Sequence, residues 1–295
     1  MRASLACMLL PVAAQAANII LGNDDGWAEI NIRTLYNSLT AAGDSVVLSA
    51  PAVDKSGTGS STGTPSVLTS ACEFNSCPSG SPAEGFNASD TRLNYVNSYP
   101  ATAIEYGINT LSPTFFGGAP DFAVTGVNVG ANLGIQVPFS GTVGAAVAAM
   151  NLGIPAVAFS GPGSQTAWNV TTPLYSQVYA DLATNITSVL LASGAPYLPA
   201  NVWLNVNFPD ATSTTCSSAS DYKFVLSRIW TAIPLISAAD VETCGSTRLP
   251  VERTVFDTSG CYASISVGDG DKLDANATLQ GVVLEKLQSI LTCLP

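Results

Sequence analysis

The ten residues NIILGNDDGW, at positions 18–27, join a short apolar run to two adjacent aspartates. Residues 18–21 predict a buried strand because they form a short apolar run with β-branched isoleucines at its centre. Asp24 and Asp25 follow where that strand becomes a turn. Two neighbouring carboxylates repel each other, so keeping them together calls for a compensating interaction.

The segment that follows predicts a βαβ unit. In AEINIRTLYNSLTAAG, residues 28–43, Ile32, Leu35 and Leu39 recur at helical spacing and Gly43 is a natural stop. SVVLSAP, residues 45–51, reads as a second strand. Strand, helix and strand in this order imply parallel pairing.

The same alternation continues along most of the chain. Helices are predicted at 101–112, 140–153 and 172–194, and strands at 121–128, 154–161 and 201–209. Loops and short hairpins are predicted for 54–90, hairpin-like extended structure for 210–275, and a final amphipathic helix for 277–294. The predicted fold class is α/β, with a Rossmann-like, mostly parallel sheet, helices on both faces, a β-hairpin-rich excursion and a C-terminal helix.

The domain organisation follows from the two ends of the chain. Residues 1–16 carry Arg2, an apolar stretch and a small-residue cleavage pattern, which predicts a signal peptide. We expect residues 17–295 to form one domain, with a core at 18–210 and a β-rich extension with the final helix at 211–295. Six cysteines remain after residue 16, and four Asn-x-Ser/Thr sequons occur at Asn87, Asn169, Asn185 and Asn276. These features predict a secreted, disulfide-bonded glycoprotein, with Cys72–Cys77 as a plausible local bridge.

Composition excludes several function classes. The net charge is −11, which argues against nucleic-acid polymers and anionic membranes as partners. After the signal peptide, no segment is long and apolar enough to predict a membrane span. The chain contains no histidine, so a Ser-His-Asp triad and a phosphatase with a histidine nucleophile are both excluded. The GxSxG pattern at residues 59–63 therefore does not indicate a serine hydrolase.

Three polar segments follow predicted strands and should meet at one edge of the sheet. They supply Asp24 and Asp25, Ser56, and Asn128. Carboxylate, hydroxyl and amide oxygens suit a hard divalent cation, Mg²⁺ or Mn²⁺ first and Ca²⁺ also, whereas zinc lacks its imidazole ligands. The alternative is that the two aspartates only form a turn and cap the following helix.

Two further segments could hold a phosphate. KSGTGSSTG, residues 55–63, combines hydroxyls with flexible backbone N–H groups, and SGTVGAA, residues 140–146, places Ser140 at a helix N-terminus. The alternatives are a flexible surface loop and a simple helix cap.

Taken together, these segments resemble the SurE family of phosphatases and nucleotidases. The resemblance rests on IILGNDDG, on VVLSAPAVDKSGTGSS, on PDFAVTGVNVGANLG followed by PFSGTVGAAVAAMNLGIPAVAFS, and on PANVWLNVNFPD. It covers about residues 18–62 and 90–210. Residues 63–90 and 212–262 fit the family pattern poorly, and the cysteines resemble a secreted fungal branch.

The resemblance implies a divalent-metal phosphomonoesterase acting on nucleoside monophosphates or related small phosphate esters. It places the metal on Asp24, Asp25, Ser56 and Asn128, with Asp24 and Asp25 also as the catalytic residues. It places around the phosphate and substrate the residues Asn23, Gly57, Gly59, Ser61, Asn132, Ser140, Gly141 and Thr142. Ser98-Tyr99-Pro100 stands where the family usually carries Gly-Thr-Pro, in a segment that bears on the substrate pocket. Bacterial members form oligomers, so a homo-oligomer stays open here.

The chemistry left by these exclusions is metal-assisted hydrolysis. The attacking group is either an activated water or an aspartate acting covalently, and the sequence does not choose between them. A catalytically weak protein that binds metal and phosphate on the same fold is the alternative function.

Overall fold

The computed structural model describes residues 16–295, so the predicted signal peptide at 1–16 lies outside the described residues except for Ala16. The strands are β1 Asn18–Gly22, β2 Ser45–Pro51, β3 Glu84–Asn87, β4 Asp90–Val96, β5 Phe122–Val129, β6 Ala156–Gly161, β7 Val202–Asn207, β8 Lys223–Ser227, β9 Tyr262–Asp269 and β10 Leu273–Asp274. The helices are α1 Ile30–Ala41, α2 Pro100–Tyr106, α3 Ser112–Phe116, α4 Gly141–Asn151, α5 Leu174–Ala192, α6 Glu252–Phe256 and α7 Ala277–Leu287. A π-helical turn joins α2 to α3, and a 3₁₀ helix at Gly134–Phe139 precedes α4.

All ten strands described belong to one sheet. Nine of them lie in the order β10-β9-β7-β6-β5-β1-β2-β4-β3, and β8 pairs with β9. The six strands from β7 to β4 are parallel, which requires long crossover connections between them; α-helices lie in these connections except between β2 and β4. The chain moves from β1 to β2 on one side, and β5 then pairs with β1 on the other side. The sheet therefore has a switch point between β1 and β5, where α/β folds place their ligands.

The sheet is buried on both faces. In β1, Ile19 and Leu21 face a core that includes α1 and α5, whereas Ile20 faces a second core that includes α2 and α4. This explains why β1 is continuously apolar rather than alternating. Helix α4 is buried along ten of its eleven residues, because its alanines and glycines let it lie close to the sheet.

The α/β architecture with helices on both faces and a C-terminal helix is confirmed. Three local features differ from the sequence predictions. Asp90–Val96 forms an additional parallel strand beside β2. In the extension, β8 pairs with β9 in parallel and not as a hairpin, since a long segment with α6 separates them. Helix α7 ends at Leu287, seven residues before the predicted end, and Leu291 then bridges to Phe224.

Three disulfides hold the cysteine-bearing segments. The predicted local bridge Cys72–Cys77 is present, and the other two are Cys216–Cys261 and Cys244–Cys293. The second bridge joins the segments that enter β8 and β9, and the third ties the end of the chain to the extension. Among residues 16–295, no helix has the length and apolar character needed to span a bilayer.

Candidate active site

The predicted residues Asn23, Asp24 and Asp25 follow the carboxyl end of β1. Parallel pairing aligns Gly22 of β1 with Thr125 of β5, so the turns that follow these strands emerge side by side. The register of β5 against β6 shifts between Thr125 and Asn128, which marks an irregularity where β5 meets the site. Asn23, Asp24 and Asp25 are each at most 2% exposed.

Asp24 is fixed by the start of α4. Its Oδ1 accepts a 2.5 Å hydrogen bond from Thr142 Oγ1, and its Oδ2 accepts a 3.1 Å bond from Gly141 N. A Cβ at position 141 would lie 2.8 Å from Asp24 Cβ, so glycine is required for this approach. The helix N-terminus thus meets a carboxylate directly, as its dipole favours.

Asp25 is held by two segments that lie more than 100 residues away in the sequence. Its Oδ2 accepts a 3.0 Å hydrogen bond from Val129 N, and its Oδ1 accepts a 2.8 Å bond from Gln165 Nε2. Asn23 spans the turn itself, since its Nδ2 donates to Gly26 O at 3.0 Å and its Oδ1 accepts from Gly26 N at 3.3 Å. The turn is therefore rigid on both sides.

The electrostatics of this pair are unfavourable without a cation. Burial raises the pKa of Asp24, against the hydrogen bonds from Thr142. Burial raises the pKa of Asp25 well above its usual range, and the charges of Asp24 and Glu29 add to the effect. None of the salt bridges among residues 16–295 involves either aspartate.

The alternative role of the aspartates as a helix cap is wrong. Glu29 caps α1, with Oε2 accepting from Asn31 N at 2.5 Å. Glu29 is fully buried, and burial raises its pKa to about 8. The cap of α1 is therefore supplied without Asp24 or Asp25.

Asn128 reaches the same hydroxyl as Asp24. Thr142 Oγ1 lies 2.5 Å from Asp24 Oδ1 and 3.3 Å from Asn128 Oδ1, and Asn128 Nδ2 donates to Gly130 O at 2.7 Å. Amide and carboxylate oxygens therefore face one point from β1 and β5. Asn132 bonds to β6 instead, where its Nδ2 donates to Ser160 Oγ at 2.8 Å.

Ser56 lies on the loop after β2 and does not bond to the other predicted metal ligands. Its hydroxyl is exposed and donates to Asp54 Oδ1 at 2.7 Å. The nearest link to the aspartates is the 2.8 Å hydrogen bond from Lys55 N to Asp24 O. Its role as a metal ligand stays a prediction.

The loop that carries Gly57, Gly59 and Ser61 packs against the start of α4. Gly57 and Ser61 are exposed, whereas Gly59 is buried and donates to Phe139 O at 2.9 Å. Gly59 has φ +57°, and a Cβ there would lie 2.7 Å from Pro138 O. This position therefore requires glycine.

Ser140, Gly141 and Thr142 form the first turn of α4. Ser140 is its N-cap, with Oγ accepting from Val143 N at 3.1 Å. The simple cap predicted as an alternative is thus present, and a phosphate contact stays a prediction. Thr142 and Gly141 instead bind Asp24, as described above.

Two groups around the aspartate turn were not predicted from the sequence. Gln165, on the loop after β6, is a direct hydrogen-bond partner of Asp25, and no motif marks it. Glu73 lies against Gly26, which has φ +109°, and burial raises the pKa of Glu73 to about 7. Glu73 is carried by the Cys72–Cys77 segment, so that disulfide loop packs directly behind the turn.

These residues fit a hard divalent cation. Two buried neighbouring carboxylates, with no salt bridge to either in the described part of the chain, lie next to an amide oxygen and form an oxygen-rich set of the kind that Mg²⁺ and Mn²⁺ prefer. Within residues 16–295, no three His, Cys, Asp or Glu side chains cluster as a metal site. The predicted set of metal ligands contains only two carboxylates, and its other ligands are neutral oxygens.

Two groups of relatives match this chain. An acid phosphatase of the yeast Yarrowia lipolytica is 33% identical over 89% of this chain and 82% of its own length. A 5′-nucleotidase SurE of Lawsonia intracellularis is 30% identical, and the match spans 65% of this chain and 66% of that protein. The similarity to the yeast protein therefore continues into the C-terminal extension of this chain.

A solved structure agrees with the fold. The SurE protein from Aquifex aeolicus matches with a TM-score of 0.60 at 22% identity, over 90% of this chain and 98% of that one. The family model described as "Survival protein SurE" matches residues 19–230, which include the aspartate turn, β5 and the start of α4. The chain belongs to the SurE family.

Proposed function

We propose that this protein is a divalent-metal-dependent phosphomonoesterase that hydrolyses nucleoside monophosphates or related small phosphate esters. The observation that carries the proposal is the pair Asp24 and Asp25, buried at the switch point of the sheet without a cationic partner among the described residues. Family membership and relatives named acid phosphatase and 5′-nucleotidase support phosphatase and nucleotidase activity.

Asp24, Asp25 and Asn128 would hold Mg²⁺ or Mn²⁺, with Ser56 as the fourth protein ligand. When bound, the cation supplies charge neutralisation for an anionic ester and polarises its phosphoryl oxygens. This offsets the net charge of −11, which otherwise repels a phosphate.

The chain's own groups bind and orient the ester. Backbone N–H groups at Gly57 and at the first turn of α4 would contact the phosphate, and the α4 dipole favours an anion there. Gln165 and Val129 fix the carboxylate of Asp25. A fixed carboxylate next to the phosphorus can orient a water for attack or attack it directly.

Phosphate release from p-nitrophenyl phosphate tests the proposal. EDTA-treated protein should be inactive, and Mg²⁺ or Mn²⁺ should restore release. A folded protein that binds metal and phosphate without turnover would instead be the catalytically weak alternative. Release that is insensitive to EDTA would contradict the metal-dependent chemistry. A panel of mononucleotides and glycerol phosphate then identifies the leaving-group preference.

We also propose that the protein is secreted as a disulfide-bonded glycoprotein. The support is the signal-like sequence at residues 1–16 and the three disulfides in the part of the chain that the structure describes. Expression with the native N-terminus in a fungal host, followed by assay of the medium and glycosidase digestion, tests this. Retention of all protein inside the cells would contradict it.

A further inference from the structure

The 3₁₀ helix Gly134–Phe139, called the connector below, joins the two halves of the candidate site. On one side, four residues separate it from Val129 at the end of β5, and Asn132 lies among them. On the other side, Ser140 follows it directly and begins α4. The position of the connector therefore sets the distance between the Asn128 side and the Gly141–Thr142 side of the site.

The segment before the connector is clamped by two asparagines of β7. Asn207 accepts from Asn132 N at 2.8 Å and donates to Asn132 O at 3.1 Å, as a neighbouring strand would. Asn205 Nδ2 also donates to Asn132 O, at 2.8 Å. The backbone groups of Asn132 are thus fully occupied.

The first end of the connector is held by a glutamate from the extension. Glu252 Oε1 accepts a 2.6 Å hydrogen bond from Gly134 N. Its Oε2 accepts from Asn205 Nδ2 and from Ser266 Oγ, both at 2.9 Å. One carboxylate therefore contacts the connector directly and, through Asn205, the segment that carries Asn132.

The other end of the connector is held by a lysine from the extension. Lys272, in the turn between β9 and β10, donates from Nζ to Pro138 O at 3.0 Å and is only 6% exposed. Phe139, the next residue, accepts from Gly59 N at 2.9 Å. Lys272 therefore acts where the connector, the Gly57–Ser61 loop and α4 meet.

Both side chains are costly to bury and have no ion-pair partner among residues 16–295. Glu252 is fully buried, and its three donors are all neutral. An uncompensated buried charge weakens a fold, so a role that repays the cost is expected. Both residues lie beyond residue 230, where the match to the family model ends.

We infer that Glu252 and Lys272 are positioning residues that hold the connector at both ends, so that the C-terminal extension is a working part of the phosphatase site. The inference rests on the proposed function. It predicts that loss of either contact weakens phosphate binding and turnover by more than it weakens folding.

Lys272→Met and Glu252→Gln test the inference. Lys272→Met keeps the apolar stem and removes the donor, whereas Glu252→Gln keeps the shape and turns an amide N–H toward existing donors. With p-nitrophenyl phosphate and saturating Mg²⁺, we expect kcat/KM to fall by about tenfold in each variant. We expect the inhibition constant of inorganic phosphate to rise by at least threefold, and Lys272→Arg to restore part of the loss.

Two matched controls separate positioning from stability. Ser227→Ala breaks the 2.8 Å contact with Ser266, one step beyond Glu252 and away from the connector. Lys286→Met removes a lysine that bonds to Ser193 and Gly194. Both should keep the kinetic constants within twofold of wild type, whatever their melting temperatures.

The inference is overturned if the folded variants keep kcat, KM and phosphate inhibition within twofold of wild type. It is also overturned if the controls lose as much activity per degree of lowered melting temperature as Lys272→Met and Glu252→Gln do. If Glu252→Gln does not fold, Lys272→Met decides. If wild type releases no phosphate, the proposed function fails. The readout for the same variants is then the rise in melting temperature caused by Mg²⁺ with inorganic phosphate. A rise that is at least halved in Lys272→Met but intact in the controls supports the inference, and any other pattern overturns it.

Discussion

Gln165 Nε2 donates a 2.8 Å hydrogen bond to Asp25 Oδ1, across 140 residues of sequence. Together with the bond from Val129 N, it occupies both oxygens of the carboxylate. A donor on each oxygen removes the rotational freedom of the side chain. Asp25 is therefore held in one orientation before any ligand arrives.

Replacing Gln165 by alanine should lower kcat by about tenfold, because a hydrogen bond to a charged group contributes about 1.5–3 kcal/mol. Melting temperature should change little, since Gln165 is exposed. Steady-state kinetics with p-nitrophenyl phosphate measure the effect. Gln177→Ala is the matched control, because Gln177 bonds to the exposed Asp181 on α5. Equal kcat in Gln165→Ala and wild type would show that this bond does not matter for turnover.

Metal binding can be read from stability alone. Mg²⁺ or Mn²⁺ added to EDTA-treated protein should raise its melting temperature, since a ligand at 100 times its Kd stabilises the folded state by about 2.7 kcal/mol. Asp25→Asn should lose most of that rise and all phosphate release while remaining folded. Asp181→Asn, an exposed acid on α5, should keep both. A full metal-induced rise in Asp25→Asn would remove this residue from the metal site.

The hydroxyl of Thr142 lies within hydrogen-bond distance of both Asp24 and Asn128. Thr142→Val has nearly the same volume but leaves Asp24 Oδ1 without its donor, at a cost of about 1.5–3 kcal/mol. We expect kcat/KM to fall about tenfold to a hundredfold, and Thr142→Ser to recover most of it. Thr40→Val, which removes a hydroxyl bonded to Tyr36 O on α1, serves as the control. Wild-type kinetics in Thr142→Val would contradict this assignment.

Glu29 should make the protein less stable as pH rises. Its pKa is raised from 4.5 to about 8 by burial, so the folded state holds a proton that the unfolded state releases between these values. Its contribution to stability is present in full below about pH 4.5 and is lost as pH rises through about 8, at most about 5 kcal/mol. Denaturation in urea from pH 4 to 9 should show Glu29→Gln with a flatter profile than wild type. Parallel profiles would mean that Glu29 is ionised in the fold.

The sequence was informative wherever local patterns carry the signal. Apolar runs and helical spacing located β1, α1, β2, α4 and α5, because these elements bury continuous faces against one sheet. The absence of histidine by itself excludes whole reaction classes. The aspartate turn and Asn128 were expected to meet because parallel strands share one carboxyl edge, and Asp24 and Asn128 both lie within 3.3 Å of the Thr142 hydroxyl.

Other features depend on contacts that no local pattern encodes. Gln165 reaches Asp25 from the loop after β6, and Glu252 and Lys272 reach the connector from the extension. The parallel pairing of β8 with β9 was missed for the same reason, since the strands lie far apart in the chain and the intervening segment lacks regular spacing.

The sequence by itself determined the α/β class, the acidic turn after the first strand and the exclusion of histidine chemistry, because composition and short-range periodicity are properties of the chain alone. Only the tertiary structure decided which donors hold each aspartate, that Glu29 rather than Asp24 or Asp25 caps α1, and that the extension contacts the connector. The physical reason is that side-chain hydrogen bonds act over about 3 Å, and only folding brings distant parts of the chain within that distance.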